Sequence, residues 1–328
     1  MAPEPLTSAQ NPKIKRLLAL QKDSSLRRET GLFVVEGRRE LERCLASGFE
    51  LDSLFLCPEL TGSHAPDATA SDATPSMNGR GHATGTTAFD ATPSLNGRDQ
   101  TPGATASDAT PSMNGRGHAT GKAAHGTDLP ESLRDSGAKV FEVSKEVYER
   151  IAYRGGTEGV IAEVWSRSLG LGDLSLPENP LIVVLEAVEK PGNLGAVLRS
   201  ADAAGADALL VCDPLTDLWN PNVIRSSTGT CFTVPTVACT SAEAIAWLRS
   251  RGIRILTAQL QDSALYYDCD LRQPTALVFG TESTGLSQAW RDAASAHIRL
   301  PMLGVADSLN VSVSASILLY EALRQRRA

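Results

Sequence analysis

Nothing in the 328-residue chain approaches the roughly 18 continuous apolar residues that a membrane span requires. The first residues, Met-Ala-Pro-Glu-Pro-Leu, carry an acid where a secretory signal carries Lys or Arg, so the expected location is the cytoplasm. The six cysteines form no Cys-x-x-Cys pair, which argues against a zinc ribbon or a dithiol redox motif and leaves free, packed thiols. The five histidines are scattered, several of them in a low-complexity stretch, and no metal site is expected. No apolar run is followed by a glycine-rich phosphate cradle, which weakens the case for a dinucleotide enzyme. The net charge of −7 excludes a chain that is basic throughout. Locally the balance differs: between Asn11 and Arg43 there are nine Lys/Arg against five acids. Such a patch either marks a polyanionic partner or is the solvated face of amphipathic helices.

Periodicity predicts a small α/β unit at the start: helix 12–21, strand 32–35, helix 38–46 and strand 54–57. The composition then collapses. Asp-Ala-Thr-Pro-Ser-Met-Asn-Gly-Arg begins at Asp72 and again at Asp108, with a Leu variant at Asp90, and residues 68–85 recur unchanged at 104–121. Each copy offers a single Met or Leu, too little to bury a core, so residues 61–137 are read as a disordered insertion rather than a solenoid. Deleting residues 61–135 is accordingly expected to spare folding. Strand 139–143, helix 145–151 and strand 159–164 resume the interrupted unit, giving a discontinuous domain, 1–60 with 138–168. Residues 169–180, rich in Gly, Pro and acids, read as a linker. From 181 to 328 strands and helices alternate: strands 181–185, 208–212, 253–258, 275–279 and 297–302, helices 194–204, 241–250 and 287–295, a helix opening at Asn220-Pro221 and a last helix to Arg327. Alternation of this kind predicts a mostly parallel sheet covered by helices on both faces.

Three polar segments stand where such a fold builds its site. The first is Asn193-Leu-Gly195 with Arg199, after the apolar run 181–185. Asn193 could simply cap the next helix. Arg199, the one cation in a helix of small and apolar residues, could pair with Asp202 at i,i+3 or hold a phosphate or a developing alkoxide with its fork of donors. The second is Gly280-Thr-Glu282-Ser-Thr-Gly285, after 276–279. A carboxylate there repels a pyrophosphate, but a glycine-flanked turn can approach a neutral or cationic ligand; a solvated loop acid is the plainer reading of Glu282. The third is Ser308-Leu309-Asn310, two cap-type residues where one helix needs one. Leu300, Met302 and Leu309 would wall an apolar pocket beside them, although residues of this kind are more often plain core.

Taken in order, Asn-Leu-Gly-Ala-x-x-Arg-Ser-Ala-Asp-Ala-Ala-Gly, Gly-x-Glu-x-x-Gly and Pro-Met-x-Gly-x-x-x-Ser-Leu-Asn-Val-Ser-Val resemble the SpoU (TrmH-like) family of RNA 2′-O-ribose methyltransferases over residues 181–328. Residues 11–57 with 139–164 resemble the small substrate-binding domain, akin to a ribosomal-protein fold, of many ribosomal-RNA members. The resemblance implies a trefoil-knotted α/β fold with S-adenosyl-L-methionine bound in the knot, and a homodimer with the active site near the subunit interface. It implies methyl transfer to a ribose 2′-hydroxyl of RNA, 23S ribosomal RNA ahead of tRNA, with no metal and no membrane. It places Asn193, Arg199, Glu282, Ser308 and Asn310 at the catalytic positions, and Gly280, Leu300, Met302 and Leu309 against the cofactor. A guanidinium is a poor proton acceptor, so Arg199 is cast as a clamp on phosphate and alkoxide. A non-catalytic RNA-binding protein is the contrasting reading.

Overall fold

The computed structural model describes residues 3–61, 133, 136–153, 158–281 and 284–327. The expected disorder of the repeat stretch therefore falls almost wholly outside the described residues. The elements run β1 (Glu4–Leu6), α1 (Pro12–Lys22), α2 (Ser24–Thr30), β2 (Leu32–Glu36), α3 (Arg38–Ala46), β3 (Leu51–Leu56), α4 (Pro58–Thr61), β4 (Lys139–Val143), α5 (Lys145–Ile151) and β5 (Val160–Trp165). They continue as β6 (Leu181–Glu186), α6 (Pro191–Ala204), β7 (Ala208–Cys212), α7 (Pro221–Ser226), β8 (Thr236–Cys239), α8 (Ser241–Ser250), β9 (Arg254–Ala258), β10 (Ala264–Leu265), β11 (Thr275–Phe279), α9 (Gln288–Ala293), β12 (Ala296–Arg299) and α10 (Val311–Arg327).

The first ten elements build a five-stranded mixed sheet, β1-β4-β3-β5-β2. The rest build a seven-stranded sheet, β10-β12-β9-β11-β6-β7-β8, whose paired strands are all parallel. Its central strands are apolar except for Glu186 and Thr275 at strand ends, and they are buried on both faces, the signature of a parallel sheet between helix layers. Val183 and Leu185 pack under α6, α7 and α10, while Ile182 and Val184 pack under α8 and α9.

One apolar cluster runs from the smaller sheet into the larger. Phe33 of β2 stacks on Trp219 at a centroid distance of 4.6 Å, and Phe49 meets Phe232 at 5.2 Å. Arg27 of α2, only 4% exposed, donates from Nε to Asp217 at 2.5 Å and from Nη1 to the Leu20 carbonyl. Arg43 reaches the Thr228 carbonyl, and Arg16 pairs with Asp52 and the fully buried Glu163. Lys13 binds Glu4 and lies over the Phe141 ring, and Arg38 bonds the Thr61 carbonyl. Five of the nine cations in the basic stretch are thus engaged in holding the fold; Lys15, Lys22, Arg28 and Arg39 remain exposed.

Several expectations shift. The strand expected at 54–57 begins at Leu51, and the one expected at 297–302 stops at Arg299, where Pro301 cannot donate to a ladder. Helix α2 and strands β1, β8 and β10 were not foreseen; α2 is a short run started by the Asp23 carboxylate, which accepts from Ser25 N and Leu26 N. Within the expected linker 169–180, Leu174 is 6% exposed and packs against the larger sheet. The cysteines are free; burial pushes the Cys231 thiol up to about 12, as expected of inert packed thiols.

Leu133 corrects the picture of the repeat stretch as a segment that buries nothing: it is fully buried in the larger cluster. Deleting residues 65–125 is expected to leave the melting temperature within a few degrees, because Leu133 stays in place. Leu133→Ala should instead lose about 2–5 kcal/mol, measured by denaturant unfolding.

Candidate active site

Strands β6 and β11 lie side by side and end level with each other, Leu185 opposite Phe279. The order reverses here: β7 and β8 extend the sheet to one side of β6, whereas β11, β9 and β12 lie on the other. This is the switch point at which an open parallel sheet leaves a crevice beyond its carboxyl ends. Because β6 is apolar up to Leu185 and β11 from Ala276 to Phe279, most polar groups enter through the loops that follow.

The loop after β11 folds back on itself. Thr281 N donates to Gly285 O at 3.2 Å, Gly285 N to Thr281 O at 3.1 Å, and Thr284 N to Thr281 Oγ1 at 3.0 Å. Gly285 has φ +70°, and a Cβ at Gly280 would run into the backbone of Gly285 and Leu286, so both glycines are required by the turn. Glu282 lies outside the described residues. Loop 280–286, segment 258–261 and loop 300–310 together enclose a cavity of about 620 Å³. Six expected residues line it: Gly280, Leu300, Met302, Ser308, Leu309 and Asn310. Lys190, Arg291 and Arg299 add cations to the lining, with Asp307 as the described acid.

Asn193 is not the helix cap. Pro191 occupies the first helical position, Lys190 is the cap residue, and Asn193 falls inside the first turn. Its side chain serves another purpose: Asn193 Oδ1 accepts from Asn310 Nδ2 at 3.2 Å, joining the first motif to the third. Asn310 is at the same time the cap of α10, its Oδ1 accepting from Ser312 N at 3.0 Å. Ser308 is the spare polar residue, exposed and bonded to Asp307 at 3.2 Å. Gly195 is explained by packing, since a Cβ there would strike the Ser226 hydroxyl of α7.

Arg199 is exposed on α6 and does not line the cavity. The alternative ion pair is absent, for Asp202 accepts from Thr233 Oγ1 at 2.7 Å and Arg199 has no ion-pair partner among the described residues. Its neighbour Ser200 pairs with Ser316 of α10 at 2.7 Å, which sets Arg199 beside the α6–α10 contact.

Glu186 went unnoticed in the sequence. It closes β6, is 6% exposed, and accepts from the Ser287 amide at 2.8 Å, anchoring the far end of the 280–287 loop. Ser241 bridges the same region, donating to Asp213 at 2.5 Å and accepting from Trp290 Nε1 at 2.9 Å. The available signal was a lone carboxylate at the end of an otherwise wholly apolar strand.

Residues 180–320 match the model of the SpoU rRNA Methylase family, and residues 11–78 match the MRM3-like substrate binding domain. A 23S rRNA (guanosine-2'-O-)-methyltransferase, RlmB, of Ralstonia nicotianae is 33% identical over 204 residues, covering 61% of this chain and 82% of that protein. The chain belongs to the SpoU rRNA methylase family. Another relative, the 23S rRNA (uridine(2479)-2'-O)-methyltransferase of Streptomyces viridochromogenes, is 38% identical over 173 residues. That match covers 51% of this chain and 60% of the relative's length. Among solved structures, an RNA 2'-O ribose methyltransferase superposes with a TM-score of 0.70 at 33% identity, covering 99% of this chain and 100% of that one.

The turn after β11 leaves no space for a side chain at its entrance. Gly280→Ala is therefore expected to displace the 280–286 loop and lower stability by about 1–3 kcal/mol. Denaturant unfolding of this variant beside the wild-type chain measures the loss.

Proposed function

We propose that this chain transfers a methyl group from S-adenosylmethionine to a ribose 2′-hydroxyl of RNA, with 23S ribosomal RNA as the substrate. The observation that carries the reading is the convergence of loops 280–286 and 300–310 on one cavity, tied to α6 by the Asn193–Asn310 hydrogen bond. The N-terminal match to a substrate binding domain favours ribosomal RNA over tRNA.

The lining suits the cofactor. Gly280 lets the turn close tightly on the backbone of Gly285 and Leu286 at the cavity edge, and Phe279, Leu300 and Leu309 supply apolar walls. When bound, S-adenosylmethionine supplies an already activated methyl group. The protein's task is then alignment, which can contribute roughly 7–11 kcal/mol in favourable cases. Asn193 and Asn310 fix the loop that closes the cavity, and Ser308 offers a hydroxyl at its rim; Glu282, outside the described residues, keeps the catalytic role that the family resemblance implies. Arg199 clamps the target phosphate and the developing alkoxide with a bidentate fork.

The same reading includes a homodimer and a trefoil-knotted chain path, in a cytoplasmic protein. Leu303 and Val305 are fully exposed, at 99% and 105%, and Val313 and Tyr320 of α10 are half exposed, an apolar surface that a second copy would cover. The knot is supported by the route of the last segments: outward to β12 beyond β9, then back through 300–310 to seat α10 against α6 and β11.

Arg199→Ala is expected to abolish transfer in single-turnover kinetics, a loss of roughly 3–4 kcal/mol as for an oxyanion donor, with cofactor affinity within a few fold of wild type. Arg199→Lys should rescue poorly. Full activity of the Ala variant would remove the clamp from the mechanism. Calorimetry should also find S-adenosylmethionine binding unchanged by EDTA, and a chelation-sensitive affinity would count against a metal-free site.

A further inference from the structure

Arg291 and Arg299 stand in the wall of the cavity. S-adenosylmethionine carries a sulfonium, an ammonium and one carboxylate. A guanidinium in the wall repels the first two groups and is favourable there only where it meets an anion.

Arg291 is built for such a meeting. Its Nε donates to the Leu286 carbonyl at 3.2 Å, fixing the guanidinium against the loop that closes the cavity. Nη2 lies 3.8 Å from where a Cβ on Gly285 would stand, so the glycine leaves no side chain of its own beside the guanidinium. Among the described residues no acceptor engages either terminal nitrogen of Arg291. A guanidinium pinned through Nε keeps two parallel donors for end-on, bidentate capture of a carboxylate, and it sacrifices little rotamer freedom on binding. Arg299 is held differently. It ends β12, next to the outermost strand β10, and Nη1 makes a 3.5 Å contact with Ser263.

We infer that Arg291 anchors the cofactor's carboxylate, and that this residue lets the cavity select an amino-acid-bearing adenosyl sulfonium over one lacking the carboxylate. The inference rests on the reading above that the cavity binds S-adenosylmethionine.

Calorimetry on the full chain, with S-adenosylmethionine and decarboxylated S-adenosylmethionine as the two probes, tests it. The wild-type chain should prefer the carboxylated ligand by about tenfold or more, the scale of a charge-assisted pair. Arg291→Gln should bind the two ligands within about threefold of each other, whereas Arg299→Gln should keep the wild-type ratio. Reading a ratio within one variant cancels any general loosening of the loop. Arg291→Lys, which keeps the charge and loses the fork, should give an intermediate ratio. An undiminished preference in Arg291→Gln, or a preference lost in Arg299→Gln instead, would overturn the assignment of Arg291 alone. A wild-type chain that binds neither probe would overturn the cofactor reading along with it.

Discussion

Two parallel strands buried on both faces, β6 and β11, impose the organisation of the site. A strand covered above and below by helices has no direction in which a functional side chain can point without being buried, and an unpaired buried charge is costly. Polar chemistry is therefore displaced to the carboxyl edge of the sheet. Glu186 marks the boundary: it is the last residue of β6, still buried, and it is satisfied by the Ser287 amide rather than left for a ligand. Past that boundary, the described part of loop 280–286 contributes Gly280, Thr281 and Thr284, loop 300–310 contributes Ser308 and Asn310, and α6 contributes Asn193.

The smaller sheet depends on the same kind of economy. Its basic helices face an acidic chain, and burial of Glu163 and of Arg27 with Asp217 consumes cations that the sequence presents as a patch. Buried pairs of this sort contribute less to stability than to fixing one arrangement, because removing either partner strands the other charge. Together with the Phe33–Trp219 and Phe49–Phe232 contacts they give the two sheets a common interior.

Much of this was legible in the sequence. Helices 38–46, 145–151 and 241–250 and strands 139–143, 208–212 and 275–279 have the bounds that their periodicity and caps imply. The cavity wall was legible too, because Leu300, Met302 and Leu309 flank the motif that enters the crevice. What escaped depends on partners distant in sequence. Asn193 had the residue type and position of a cap, but Pro191 started the helix earlier and released the amide for Asn310, 117 positions away. Leu133 sits alone among polar residues and acquires its burial from the fold, and α2 owes its start to one aspartate rather than to an apolar face. Arg199 was legible as an anomaly, but its exposure on α6 was not, since nothing local determines what a lone cation faces.

The common interior of the two sheets gives the molecule the properties of a ruler. With Phe33 stacked on Trp219 and Arg27 tied to Asp217, the exposed cations Lys15, Lys22, Arg28 and Arg39 stand at set distances from the crevice beyond β6 and β11. A leash would let one grip serve many targets, each reached by a different slack. A ruler transfers the burden of fit to whatever is gripped: under the function proposed above, an RNA held by these cations would reach the crevice only if its own shape spans the gap, or can be bent to span it at its own elastic cost.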